Sequence, residues 1–179
     1  RIQSLSVTER INYLNQKGRA GVASTCLAVL AVDPEVSVRV AVAKSFKATP
    51  EVRRLLAEDP SMEVKLAVAQ HPKTPLDVLF ALWNAEGPSG DIAELIAYNR
   101  ASTADLLRRI VTESDDREVL WRVAAHEALG EDQQRVLLDH QDISIQRQLA
   151  ANPQTVPDLL ELRSRHEDYE VRCSVARNL

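Results

Sequence analysis

Between Asp33 and Asn84 one passage is written twice: DPEVSVRVAVAKSFKATPEVRRLLAE is followed directly by DPSMEVKLAVAQHPKTPLDVLFALWN. Both copies open with Asp-Pro, run through Val-Arg or Val-Lys into an apolar stripe ending in Ala, pass a Thr-Pro and close on a second short apolar run. Self-similarity at a fixed period marks supersecondary units that stack, because one such unit cannot bury its apolar face alone.

Two columns carry the register onward. Ala43, Ala69, Ala97, Ala124, Ala150 and Ala176 stand 26, 28, 27, 26 and 26 residues apart, and two residues after each come Ser45, His71, Asn99, His126, Asn152 and Asn178. The first half of each unit reads as a helix of about ten residues. VSVRVAVA alternates with period two and would suit a strand. Its counterparts DIAELIAYN, EVLWRVAAHEAL and ISIQRQLAAN carry Ala, Leu, Glu and Gln at helical spacing, which decides for helix. The second half begins at Thr49-Pro50, Thr74-Pro75, Ser102-Thr103 and Thr155-Val156-Pro157, where a hydroxyl is expected at the N-cap of a short helix. About eight residues follow, too few for a helix to be stable alone, so each unit must lie on its neighbours.

The expected architecture is all-α: a single α-solenoid domain over 1–179, with about six two-helix repeats of about 26 residues. Residues 1–32 hold N-terminal helices and a degenerate first repeat, and 33–179 the remaining repeats, the last incomplete. A first helix is expected over Ser6 to Gln16, capped by Ser6 or Thr8 and stopped by Lys17-Gly18; a second runs from about Ala23 to Val32. AEGPSG at 85–90 occupies the stretched 28-residue interval and should bulge, and ESDDRE at 113–118 reads as a solvated acidic turn. Since Leu179 follows the first half of a sixth unit, the expectation is that the natural chain continues or another chain covers that end.

Composition agrees with closely packed short helices: 45% hydrophobic residues but only 4% aromatic. Net charge is −4, distributed as +2 over residues 1–90 and −6 over 91–179, and every lysine lies at or before Lys73. No basic stripe runs the length of the chain, which disfavours general phosphate binding. Cys26 and Cys173 belong to no C-x-x-C pair and read as reduced, buried thiols. No apolar run approaches the roughly 18 residues of a membrane span. A signal peptide is missing although the chain begins at Arg1, and the expected compartment is cytoplasmic.

The stretches DPSMEVKLAVAQHPKTPLDVL, DISIQRQLAANPQTVPDLLEL and DYEVRCSVARN resemble the leucine-rich repeat variant family of bacterial α-solenoids. The resemblance covers roughly residues 28–179, is best at 33–84 and 141–179, and is weakest at 113–140. It implies units that pair an α-helix with a short 3₁₀-like helix and stack into a right-handed superhelix. HEAT and armadillo repeats are related in kind, but their units run to about 40 residues. One member of the family adds a cysteine-ligated iron–sulfur module; two isolated cysteines lack those ligands, and no cofactor is expected.

Candidate chemistry is sparse. His71 and His126 stand two repeats apart, too far to share one metal. With Ser45, Asn99, Asn152 and Asn178 they are expected to satisfy loop backbone groups where the first helix ends. His140 and His166 share a column with Asp33, Asp59, Gly87 and Ser114 and read as turn positions, with a weak surface metal site as the alternative. G-x-S-x-G, phosphate-binding glycine loops, H-E-x-x-H and C-x-x-C are all missing. The expected function is therefore a non-catalytic scaffold for protein or peptide interaction. The contact candidates are Arg39, Lys65, Gln146 and Arg172 on the first helices and Trp83 and Trp121 as anchors. A DNA-glycosylase-like nucleic-acid binder is the alternative, disfavoured by the acidic balance and short repeat.

Overall fold

A computed structural model of the chain describes residues 2–15 and 24–178. Among these, thirteen α-helices and a 3₁₀ turn at Ile2–Ser4 form, and no strand. The chain divides into two compact units, Arg1–Ala85 and Glu86–Leu179. The division falls inside AEGPSG, where the repeat spacing stretches.

In the first unit α1 (Val7–Asn15), α3 (Val36–Ala43) and α5 (Met62–Gln70) pack in succession, with α2 (Ser24–Leu30) against α3, and α4 (Pro50–Ala57) against α3 and α5. Helix α6 (Leu76–Glu86) ends at the division. Of the two candidate caps Ser6 is the one used. Its hydroxyl accepts the Glu9 N–H, and the Glu9 carboxylate accepts the Ser6 N–H at 2.8 Å, a reciprocal capping box. Gln16, the Lys17-Gly18 stop and Ala23 lie outside the described residues.

The second unit repeats the scheme. Helices α7 (Asp91–Tyr98), α9 (Arg117–Ala124), α11 (Ile143–Ala151) and α13 (Tyr169–Asn178) follow one another. Between them lie α8 (Ala104–Glu113), α10 (Glu131–Leu138) and α12 (Pro157–Arg163). Gly87 and Gly90 take φ of 89° and 82°, a region open mainly to glycine, and so turn the chain into α7. Ser114 holds that loop through the Pro88 carbonyl at 2.6 Å. The ESDDRE stretch does more than face solvent: Asp116 accepts the Glu118 and Val119 N–H groups and caps α9.

Helix α3 shows how a run of alternating valines becomes helical. Val38 and Val42, four apart, are buried together with Arg39 and Ala43, while Val36 and Val40 lie half-buried on the flanks. The alanine column lets adjacent helices approach: Ala43, Ala69, Ala97, Ala124 and Ala150 are all at most 1% exposed. Ala176 departs from it and is exposed, because α13 packs on α11 and α12 from one side only.

Three further expectations need correction. The second elements are α-helices of 7 to 11 residues, not 3₁₀-like turns. Pairs such as Leu106 with Ile110 then fall on one buried face, which a tighter helix would split. Of the expected N-cap hydroxyls only Thr49 caps, accepting the Val52 N–H. Thr74 and Ser102 instead donate back to the Val68 and Ile96 carbonyls at 2.6 Å, and Thr155 likewise to Leu149. They satisfy the carbonyl end of the preceding helix. Both cysteines are free, and they are half-buried where full burial was expected.

Candidate functional site

The Asn/His column builds a side-chain ladder. Asn178 Nδ2 donates to the Ala150 and Asn152 carbonyls, both at 2.8 Å, and Asn152 Nδ2 to the Ala124 and His126 carbonyls at 2.9 and 3.1 Å. His126 Nε2 reaches the Asn99 carbonyl at 3.0 Å. Asn99, His126 and Asn152 also accept the N–H two residues ahead, from Ala101, Ala128 and Gln154. With Nδ1 accepting, the His126 proton sits on Nε2.

In the first unit the ladder changes hands. Arg53 of α4, 1% exposed, donates to the Ala43 and Ser45 carbonyls at 2.9 and 2.8 Å, and its Nη2 lies 3.2 Å from His71 Nε2. Burial lowers the Arg53 pKa. His71 falls from its ordinary 6.5 to about 4, first through burial and then through the Arg53 and Lys73 charges. An arginine has taken the donor's part that asparagine plays in the second unit.

The column that the sequence offers for contact is structural too. Arg39 is buried, gives a two-pronged bond to the Asp59 carboxylate at 2.6 and 3.0 Å, and donates to the Asp33 carbonyl at 2.7 Å. Burial opposes the Asp59 charge; the Arg39 bonds and the Ser61 N–H outweigh it and hold its carboxyl below the usual range. Gln146 and Arg172 donate in the same way to the carbonyl six residues back, of His140 and His166, at 2.7 and 2.6 Å. Gln146 Oε1 is buried without a partner, since this position suits a donor-only guanidinium. Lys65 is half-buried and lines a groove with Arg54, Asp77, Ala81 and Ala85. His140 and His166 each accept a turn N–H on Nδ1. Among the described residues no three His, Cys, Asp or Glu side chains are grouped to hold a metal ion.

The two tryptophans separate. Trp83 is 1% exposed in α6 and so leaves the set of anchors: a ring in the interior meets no partner without unfolding its helix. Trp121 is half-buried on α9. Beside it the Arg122 guanidinium lies 5.2 Å from the Trp121 ring centre and 5.6 Å from that of Tyr98, reaching from α9 to α7. Glu94 approaches Arg122 only to 3.9 Å. Next to this stack lies a cleft of about 160 Å³ lined by Tyr98, Arg100, Arg122, Ala125, His126 and Glu127. Tyr98 is 65% exposed, and Arg100 is exposed and forms no ion pair among the described residues.

Among solved structures, one described as a leucine-rich repeat variant with a novel repetitive protein structural motif matches 99% of this chain and 73% of its own, with a TM-score of 0.65 at 20% identity. The chain has the leucine-rich repeat variant fold. At that identity the likeness is one of fold alone. No family model and no curated protein matches the sequence.

Within the leucine-rich repeat variant fold the cleft residues Tyr98, Arg100 and Arg122 escape a reading by columns, because they meet only across adjacent repeats. The tryptophans carried a signal. Counted back by the repeat spacing, Trp121 shares its place with Val40, Leu66 and Glu94, all half-buried, and Trp83 with the buried Ala57 and Ala31. No helix among the described residues is long and apolar enough to cross a membrane.

Proposed function

We propose that this chain is a non-catalytic repeat scaffold that binds a protein or peptide segment at the cleft lined by Tyr98, Arg100 and Arg122, beside Trp121. The observation that carries the reading is the guanidinium held over two aromatic rings at 5.2 and 5.6 Å, with one of those rings 65% exposed. Tyr, Trp and Arg are the side chains that dominate binding energy at interfaces, and stacking fixes Arg122 in advance, which lowers the ordering cost of binding. The other polar columns serve the turns, and this cleft sets one guanidinium against two rings, whereas Phe46 with Lys73 and Tyr169 with Arg172 bring one ring each. A repeat-protein fold accords with a scaffold role, by analogy of fold.

The test is selection of displayed peptides on the immobilised protein. Selected sequences should bind with micromolar or better affinity and lose at least tenfold on Trp121→Ala or Tyr98→Ala, with circular dichroism showing the fold intact. Enrichment of no sequence, or binding indifferent to both substitutions, refutes the reading.

A further inference from the structure

We infer that the group this cleft receives is a carboxylate, carried on an acidic peptide segment and held between Arg100 and Arg122; the inference rests on the peptide-binding reading above. The second unit is acidic, with 17 acidic against 11 basic side chains over residues 91–179. In that setting two guanidiniums beside one small cleft are an exception, and their existing partners are weak. Arg100 has no ion pair among the described residues, and Arg122 has one carboxylate at 3.9 Å, beyond hydrogen-bond reach.

The geometry of Arg122 gives the selection its form. A guanidinium set within 5.2 and 5.6 Å of two ring centres still carries its fork of five N–H donors, and a carboxylate matches that fork with two parallel bonds. Elsewhere the molecule makes this same match internally. Arg39 takes the Asp59 carboxylate by two bonds, and Arg147 takes that of Asp168. Both pairs are filled by the chain itself, whereas the Arg100–Arg122 cleft has no such carboxylate seated. Glu127, on the rim, sets the polarity of the segment. An all-acidic stretch would meet its charge, so the carboxylate should be followed by neutral or apolar residues that lie on the Tyr98 and Trp121 rings.

Trp121 supplies a local reporter. The sequence has two tryptophans, so Trp83→Phe leaves Trp121 as the only indole. A peptide Ac-Gly-Leu-Glu-Leu-Phe-Gly-NH₂ and its Gln counterpart, titrated at about 50 mM salt, separate the two levels of the argument. The Glu peptide should change Trp121 fluorescence with saturation and bind at least tenfold tighter than the Gln peptide. Arg100→Gln/Arg122→Gln should remove that preference, and Arg122→Lys, which keeps charge but loses the fork, should lose most of it. Equal binding of the two peptides overturns the carboxylate inference and leaves the peptide-binding reading standing. Absence of any response to either overturns both. A single-stranded oligonucleotide that binds more tightly than the Glu peptide, through the same arginines, also overturns the inference. The parent chain, its tryptophans intact, repeats the titration by calorimetry, so a Trp83→Phe variant that folds poorly does not leave the matter open.

Discussion

Asn152→Ala is the substitution that tests the ladder most directly. Asn152 is 2% exposed and makes three bonds: two donated to the Ala124 and His126 carbonyls and one accepted from the Gln154 N–H. Alanine removes a partner from each of these backbone groups, and the Ala124 carbonyl loses most, because the His126 carbonyl keeps the Leu129 N–H and Gln154 is exposed. At about 1–3 kcal/mol for one unmet buried group, the loss is roughly 2 kcal/mol. For a chain of this size that lowers Tm by about 4–8 °C. Asn152→Asp supplies the control. It keeps shape and volume and retains an acceptor for Gln154, but turns an oxygen toward two carbonyl oxygens and buries a charge. It should therefore cost at least as much as alanine. Urea unfolding gives the stabilities, and amide exchange at Gln154 separates the variants, with protection lost for alanine and kept for aspartate. If Asn152→Asp unfolds within about 0.5 kcal/mol of the parent, the side chain merely fills space and the ladder argument fails.

Four further outcomes are expected. His71 is held neutral, its folded pKa depressed from 6.5 to about 4, so its contribution is complete above pH 6.5 and lost as pH falls toward 4. The loss is at most about 3 kcal/mol at 1.36 kcal/mol per pH unit, and His71→Asn should flatten that part of a plot of urea midpoint against pH. Asp59→Ala leaves Arg39 buried without its carboxylate and should cost about 3–5 kcal/mol; adding Arg39→Met should recover part of it, as read from a double-mutant cycle in urea. Ala97→Leu, at a position with 0% exposure, should cost about 1–3 kcal/mol by overpacking, while Ala176→Leu should stay within about 0.5 kcal/mol, by thermal unfolding. Gln146→Arg gives its column the guanidinium found at Arg39 and Arg172 and relieves the unpaired Oε1. It should raise stability by about 1 kcal/mol in the urea assay.

What the sequence revealed is what repeats along it. The alanine column, the helical reading of the valine run and the turn role of the Asn/His residues depend on spacing and on bonds to backbone nearby, so a single chain displays them. Thr74, Ser102 and Thr155 were placed at the right turns with the wrong partners, because a hydroxyl can serve the helix behind it as well as the one ahead. Arg53 was not legible, since its acceptors lie 10 and 8 residues back, at the end of α3 and in the turn after it, and the column it serves holds a serine there. Arg39 and Arg172 looked like an outward charge column because a basic residue on a helix usually is one; here each guanidinium folds back onto a loop carbonyl. The Tyr98–Arg122 stack joins α7 to α9, and only knowledge of which faces meet could find it.

The ladder in the second unit also has a direction. His126, Asn152 and Asn178 each reach back to the carbonyls of the preceding repeat, and none reaches forward. A 26-residue module cut from this region and spliced in again therefore travels with its own latch and needs nothing altered in the host it lands on. Tandem duplication of residues 127–152 would lengthen the protein without redesign of the seam. The module ending at His71, residues 46–71, contains Arg53 and so also carries its latch, supplied by the short second helix instead of the column residue.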